Sequence, residues 1–424
     1  MLAALFAVLA VTGIAFLIFG AGGNGKPERP SPPTAVTGEV LRRDNVISDK
    51  GYNTFAGAWI MPGDGAVATA YANVTGPVAP PCRSPEVPAG CAERGFRGAR
   101  HRFVVLESGD GAKTWKKPFA AEVVKTPAPH AYSGQPTIAL RDGTLLRRVN
   151  GEDIGIYPEY GGEPGTAYLQ RRAPGARSWS GRQLLLDTNR YTYNLSRMKR
   201  LRDGRTLVAL GAFWKVRAGE RLKTPAQERP GWLLMTSTDE GATWQNAMAV
   251  PGAAEAAALA NEWDVAELRD GDLLAVMRTR EGERAVRKQV VLEKTGDEIT
   301  TNTGTRSKGG WTMGVPVLTP APFAQIEFPQ HPELLDLEHG PAAGGILHIA
   351  DEAIHYTANG GRSWSKVAFP SNWNSHYYPN SVQASGGNIY VFSHAGGDEN
   401  YTTNADKPIY VDVVRLVADG DALP

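Results

Sequence analysis

Along most of this chain, short apolar or alternating stretches are broken by tight polar turns. One phrase recurs: a strand-like run, an Asp-Gly pair or a relative of it, and a second apolar run. It occurs at Ala58 to Gly65, Ile138 to Leu146, Leu201 to Gly204, Glu267 to Leu274, Leu335 to Gly340 and Val382 to Tyr390. Alternation with period two marks a strand with one buried face. Asp-Gly between apolar runs marks a hairpin, with both central residues expected at positive φ. The turn glycines Gly65, Gly143, Gly204, Gly271, Gly340 and Gly387 lie 47 to 78 residues apart. A unit of that size holds about four strands of five or six residues, so six such units predict an all-β, six-bladed β-propeller. Ile409 to Leu416 alternates like a late strand of the sixth unit. Val36 to Ile47 is expected to supply that blade's outer strand, sealing the ring and removing exposed edges.

A second repeat sits between the hairpins. Ser237-Thr-Asp239-Glu-Gly241-Ala-Thr243-Trp244 is matched by Thr357-Ala-Asn359-Gly-Gly361-Arg-Ser363-Trp364. Ser108-Gly-Asp110-Gly-Ala112-Lys-Thr114-Trp115 differs in having Ala112 where the others have Gly, and Arg172 to Trp179 reads as an eroded fourth copy. Asp or Asn caps a tight turn, Gly supplies the permissive backbone, and Trp packs into the blade. A structural role for Asp110, Trp115, Asp239, Trp244, Asn359 and Trp364 follows, not a catalytic one. These copies resemble the Asp-box of the sialidase-like β-propellers (the neuraminidase or BNR repeat), and the resemblance covers roughly residues 40 to 416.

Composition refines this picture. The 48 glycines and 30 prolines in 424 residues exceed the roughly 12% of average usage, as a turn-rich fold requires. With 45 Lys and Arg against 44 Asp and Glu, the chain lacks the basic footprint of a nucleic-acid binder. Leu2 to Gly20 is an uncharged apolar run of 19 residues, about 28 Å as a helix, close to a hydrocarbon core of about 30 Å. Residues 1–23 therefore read as a hydrophobic helix, either a cleaved signal peptide or a membrane anchor, and either one exports the rest. Residues 24–35, rich in Gly and Pro, read as a flexible linker, leaving 36–424 as the propeller. The membrane is expected as a partner only through that first segment. Cys82 and Cys91, the only cysteines, lie in one Pro/Gly-rich stretch and are expected to staple a loop in an oxidising compartment. No metal or other cofactor is implied, and a monomer is expected.

The hairpin geometry also says where a site must lie. In each blade the first strand runs into the turn and the second runs back. The start of one and the end of the other therefore meet at the opposite face, around the axis. Blade four places Glu262 and Asp264 at the opening of its first strand and Arg278 at the close of its second. Blade six opens with His376-Tyr377-Tyr378-Pro379-Asn380 and continues past its second strand with Ser393-His394-Ala-Gly-Gly-Asp398. Blade five brings His331, blade two Gln135 and Arg148, and blade three Arg197. The string from Asn261 to Arg278 resembles the sialidase segment that carries the general-base Glu and one carboxylate-binding Arg. The resemblance implies that Glu262 is the base, that Arg278 holds substrate, and that Tyr378, or else Tyr377, is the nucleophile. A phenol with an unperturbed pKa near 10 needs such a base, and a Tyr nucleophile is the sialidase exception to the two-carboxylate scheme. His394 and Asp398 are candidate acid/base or hydroxyl-binding groups. Asp264, Tyr377, His331, Gln135, Arg148 and Arg197 are candidate substrate contacts.

The chain departs from the sialidase pattern in three places. No Arg occurs in Gly51 to Gly57, no carboxylate in Ala70 to Asn73, and no Arg in Ile349 to Ile354. One surviving clamp arginine supplies one fork for a carboxylate, which argues against sialic acid as the sugar. Two functions from different classes follow. One is an exported exo-sialidase-like glycoside hydrolase with a divergent site. The other is a carbohydrate-binding propeller without catalysis, with a protein-interaction scaffold third.

Overall fold

The computed structural model describes residues 31–47, 49–75, 100–124, 134–150, 167–186, 192–215, 217, 231–250, 262–281, 284–313, 317–318, 331–350, 353–370, 373, 375–394 and 406–418. The N-terminal apolar run, Cys82, Cys91 and Asp398 lie outside the described residues. Among the described residues no helix is long and apolar enough to cross a membrane.

Six sheets follow one another along the chain. Blade one is built from Tyr52–Ile60, Val67–Thr75, Arg100–Ser108 and Glu122–Val124. Blade two has Thr137–Ala139, Leu145–Asn150 and Ala167–Arg172, its outer edge reduced to a bridge between Leu169 and Gln183. Blade three has Thr192–Arg200, Leu207–Trp214, Gly231–Ser237 and Gln245–Asn246. Blade four is larger, with Trp263–Glu267, Leu273–Glu281, the 17-residue Arg284–Thr300 and Arg306–Met313. Blade five is compact: Glu333–Asp336, Ile346–Ile349, Ile354–Thr357 and Ser365–Lys366. Blade six joins Tyr377–Gln383, Ile389–His394 and Ile409–Ala418 to Val36–Ile47. That last pairing runs antiparallel from Val36 opposite Ala418 to Ile47 opposite Ile409. The ring closes as the alternation of those two segments predicts.

Every Asp-Gly-type phrase forms the hairpin between the first two strands of its blade. The turn itself differs from expectation. Gly143, Gly204 and Gly271 take positive φ, but Asp142, Asp203 and Asp270 do not. Each Asp instead turns its carboxylate onto the loop backbone, Asp142 accepting from Thr144 N at 2.9 Å and Asp203 from Thr206 N at 2.7 Å. A side chain that caps its own turn leaves only the glycine in the left-handed region.

The second repeat forms three similar turns between the third and fourth strands. Asp110 accepts from Thr114 N at 2.9 Å and Thr114 Oγ1 at 2.6 Å, and Asp239 does the same with Thr243. The Thr114 hydroxyl holds the Asp110 carboxyl well below the usual carboxylate range, so this exposed group stays ionised and is spent on the turn. Ala112 sits at φ 64, where Gly241 and Gly361 occupy the other two copies. The tryptophans reach back toward the preceding blade. Trp115 packs against Phe392 at 5.9 Å, Trp244 lies against the cluster that holds Ile138 and Leu146, and Trp364 Nε1 donates to Gln289 at 2.9 Å.

The core lies between the sheets, blade against blade. Between blades three and four, Trp232 and Trp263 stack with centroids 4.9 Å apart among Leu210, Val290, Leu292 and Trp311. Trp263 Nε1 donates to Gly211 O at 2.8 Å, which satisfies the indole that its burial takes from water.

Candidate active site

The first strands of the blades surround the axis, and their N-terminal ends bring distant residues together. Glu262 precedes the first strand of blade four, and its carbonyl accepts from Arg278 N at 3.0 Å, so the two residues share the end of one hairpin. Arg278 Nη1 also donates to Glu262 Oε2 at 2.9 Å. The other carboxylate oxygen, Oε1, accepts from the Tyr378 hydroxyl at 2.9 Å, across 116 residues of sequence. Glu262 thus holds a phenol on one oxygen and a guanidinium on the other. Tyr378 is only 7% exposed, whereas the Arg278 side chain is 30% exposed and reachable from the mouth.

Two bulges aim the aromatic side chains. In blade six the pairing steps from Tyr377–His394 to Asn380–Phe392, an extra residue on the first strand. In blade one it steps from Thr54–Ala72 to Gly57–Ala70 in the same way. Tyr378 and Phe55 sit in these bulges with φ of 51° and 52°. A non-glycine residue held there costs about 1–3 kcal/mol and persists only where its surroundings over-determine it. The two rings meet edge to face at 5.2 Å.

His394 ends the second strand of blade six and lies 2% exposed beside them. Its Nε2 is 3.3 Å from Thr54 Oγ1, and its ring stacks near that of Tyr378, with centroids 6.0 Å apart. Tyr377 contacts both, at 4.8 Å from the Tyr378 ring and 5.2 Å from His394. Tyr52, Phe55, Tyr377, Tyr378 and His394 therefore form one aromatic wall next to the Glu262–Arg278 pair.

No family model matches this chain, and no curated protein matches it. Among solved structures it is similar to a protein of unknown function from Dyadobacter fermentans, at 14% identity and TM-score 0.50, covering 92% of this chain and all of that one. It is similar to the α-L-arabinofuranosidase Arb93A from Fusarium graminearum, solved with an iminosugar inhibitor, at 13% identity and TM-score 0.50, covering 91% and 98% of the two chains. The NanB sialidase from Streptococcus pneumoniae follows at 10% identity and TM-score 0.49, covering 90% and 70%. The fold is similar to that of the first two structures. At such identities the likeness is one of fold, and the chemistry must be read from this chain's own residues.

Other candidates are placed elsewhere in the propeller. Asp264 is fully buried, ion-paired to Lys199 Nζ at 2.6 Å and accepting from Leu334 N at 2.7 Å. Two residues beyond Glu262 it lies one layer deeper, tying blades three, four and five. Arg148 gives Nη1 to Asn194 Oδ1 and Leu195 O, both at 2.6 Å, and joins blade two to blade three. Gln135 is buried, with its backbone beside Gly57 of blade one. Arg197 is buried in an ion pair with Glu333 at 2.7 Å. His331 is buried with Nδ1 2.8 Å from its neighbour's carbonyl, and burial, followed by the Arg197 charge, pushes its imidazole well below the ordinary value. Asp264, Arg148 and Arg197 hold the blades together around the axis. Sequence reasoning missed Phe55, Thr54 and Glu333. Glu333 carried a usable signal, as a charge opening an apolar first strand.

Proposed function

We propose that this protein is an exported glycoside hydrolase that works through Tyr378 and Glu262 at the propeller mouth. The observation that carries the reading is the 2.9 Å hydrogen bond from the Tyr378 hydroxyl to a carboxylate already bound by Arg278. A phenol and a base in contact meet the geometric test for an activated nucleophile. In the first step Glu262 takes the phenolic proton and the phenolate oxygen bonds to the anomeric carbon as the glycosidic C–O bond breaks. The departing oxygen takes a proton from the acid, for which His394 is the described candidate. Water then cleaves the tyrosyl glycoside and the phenol regains its proton. Arg278 keeps Glu262 oriented and offers its exposed edge to a substrate oxygen.

The substrate is proposed to be a glycan without a sialic acid carboxylate. The blade-one mouth supports this, because Asn53 and Asn73 stand there and bond to each other at 2.7 Å, and Asn53 also bonds to Lys407 O. A neutral amide pair neither clamps a carboxylate nor gives a proton. The aromatic wall supports a second reading, a propeller that binds a sugar face without cleaving it.

The test is a screen of sialosides, uronides and neutral glycosides with the wild type, Tyr378→Phe and Glu262→Gln. Turnover of a neutral glycoside is expected, with losses of at least about 10³-fold in both variants, since each removes a partner of one proton transfer. Binding on a glycan array without turnover of any substrate would establish the second reading. Unchanged turnover in both variants would refute the assignment of the site.

A further inference from the structure

Beneath Tyr378 lies a buried ion pair that grips the turn carrying it. Arg197, on the first strand of blade three, places Nη2 2.7 Å from Glu333 Oε2 of blade five and 3.2 Å from the Pro379 carbonyl of blade six. Glu333 Oε1 accepts from Ser381 N at 2.8 Å and from Ser381 Oγ at 2.6 Å. One pair therefore holds the backbone on both sides of Asn380, immediately after the left-handed Tyr378. The side chains are 1% and 2% exposed. Burial pushes the Glu333 carboxyl up, and the Arg197 guanidinium opposes it.

Stability alone does not explain such an arrangement. A buried ion pair is often no better than a packed apolar pair of the same volume, because desolvation offsets the attraction. What an apolar pair cannot do is hold a carbonyl and an amide of a third blade. The contrast with the layers below sharpens this. Lys199–Asp264 joins blades three, four and five, and Arg202–Asp336, at 2.8 Å, joins three and five. Among the described residues, neither of these pairs bonds to blade six.

We propose that Arg197 and Glu333 are positioning residues for Tyr378. Through the Pro379 carbonyl and Ser381 they fix the bulge that directs the phenol onto Glu262, with Phe55 bracing its ring from blade one. The role in turnover rests on the reading of Tyr378 as nucleophile, whereas the role in orientation does not.

The experiment uses the full chain with 3-fluorotyrosine at position 378, read by fluorine NMR and by steady-state kinetics. Arg197→Lys keeps the charge opposite Glu333 but has a point donor in place of a two-pronged fork. Its fluorine resonance is expected to move or broaden. In unlabelled protein kcat is expected to fall about 10- to 100-fold with KM within about threefold, as for a displaced reacting group. Arg202→Lys, the same change one pair below, is expected to leave the resonance where it is. A resonance in Arg197→Lys superimposable on that of the wild type would overturn the proposal, as would a moved resonance with kcat unchanged in an active enzyme. If Arg197→Lys does not fold by circular dichroism, Ser381→Ala carries the test, since it removes one hydroxyl bond to Glu333. A displaced resonance is expected there, and an unmoved one overturns the proposal. If the wild type cleaves no glycoside yet the resonance moves, the hydrolase reading fails and the positioning role stands.

Discussion

Replacing Gly134 with Ala tests whether the seam between blades one and two shapes the candidate site. At this seam the two backbones touch without side chains between them. A Cβ on Gly134 would lie 1.7 Å from Ala70 O and 2.9 Å from Gly57 N. A Cβ on Gly57 would in turn lie 2.0 Å from Gly134 O. Real contacts of this kind stay beyond 3.0 Å, so the strands must part by at least 1.3 Å. The obstacle is backbone, which has no alternative rotamer to adopt. Overpacking a rigid contact costs about 1–3 kcal/mol, and this case lies at the upper end or beyond it. At about 2.1 cal/mol/K of unfolding entropy per residue, a propeller of this size then loses roughly 4 °C in Tm. The same separation breaks the 2.8 Å bond from Gly134 N to Phe55 O, which anchors the bulge whose ring meets Tyr378. A displacement of about 1 Å near reacting groups costs about 100-fold, so kcat is expected to fall about 10- to 100-fold in the protein that remains folded. Calorimetry and turnover on the same preparation measure both. A variant with unchanged Tm and kcat would refute the reasoning. A lowered Tm with full kcat would separate the seam from the site.

Two further outcomes follow from single residues. Ala112→Gly is expected to stabilise the protein by about 0.5–1 kcal/mol, because relief of the left-handed strain at φ 64 outweighs the entropy that glycine adds to the unfolded chain. Chemical denaturation giving no gain would refute it. His355 has its pKa lowered from 6.5 to about 4 by burial, with Lys366 acting in the same direction. The unfolded chain takes up a proton near pH 6.5 that the folded one refuses until about pH 4. This contribution to stability is therefore intact above pH 6.5 and lost as the pH falls toward 4, with about 2 kcal/mol gone by pH 5. His348 and His331 are displaced the same way. Denaturation curves at pH 7.5 and 5 measure the loss, and His355→Gln is expected to lessen it. Equal losses in the two proteins would refute the assignment.

The blade count and the Glu262–Arg278–Tyr378 grouping were legible in the sequence for one reason. Hairpin turns have local chemical signatures, and the direction of each hairpin then dictates which strand ends meet. Val36 to Ile47 was placeable because alternation is also local. Side-chain direction at those same ends was not legible. Asp264 and Arg148 stand where the rule places a mouth residue, yet both turn into seams between blades, because partners such as Lys199 and Asn194 come from other strands. The bulges at Phe55 and Tyr378 were invisible for a related reason. Nothing in Asn53-Thr54-Phe55-Ala56 or Tyr377-Tyr378-Pro379 announces a left-handed residue. The conformation is imposed by Gly134 in one case and by Arg197 with Glu333 in the other. The 17-residue strand of blade four also exceeded the short strands expected, since loop-free extension of a hairpin leaves no punctuation to read.

The pairing of Val36–Ile47 with Ile409–Ala418 has a temporal consequence. Blade six cannot complete its sheet until nearly the whole chain exists, and the contacts around Tyr378 join residues 116, 182 and 340 positions apart. Contacts of such separation form late and slowly, after the entropy of closing long loops has been met. During synthesis the hairpins can form one by one while the Tyr378 phenol and the Glu262 carboxylate are still strangers. On gentle denaturation the order reverses, and loss of the Tyr378–Glu262 contact should precede loss of the strand signal. The Tyr378–Glu262 contact would then report whether the circle is shut, ahead of any measure of the separate blades.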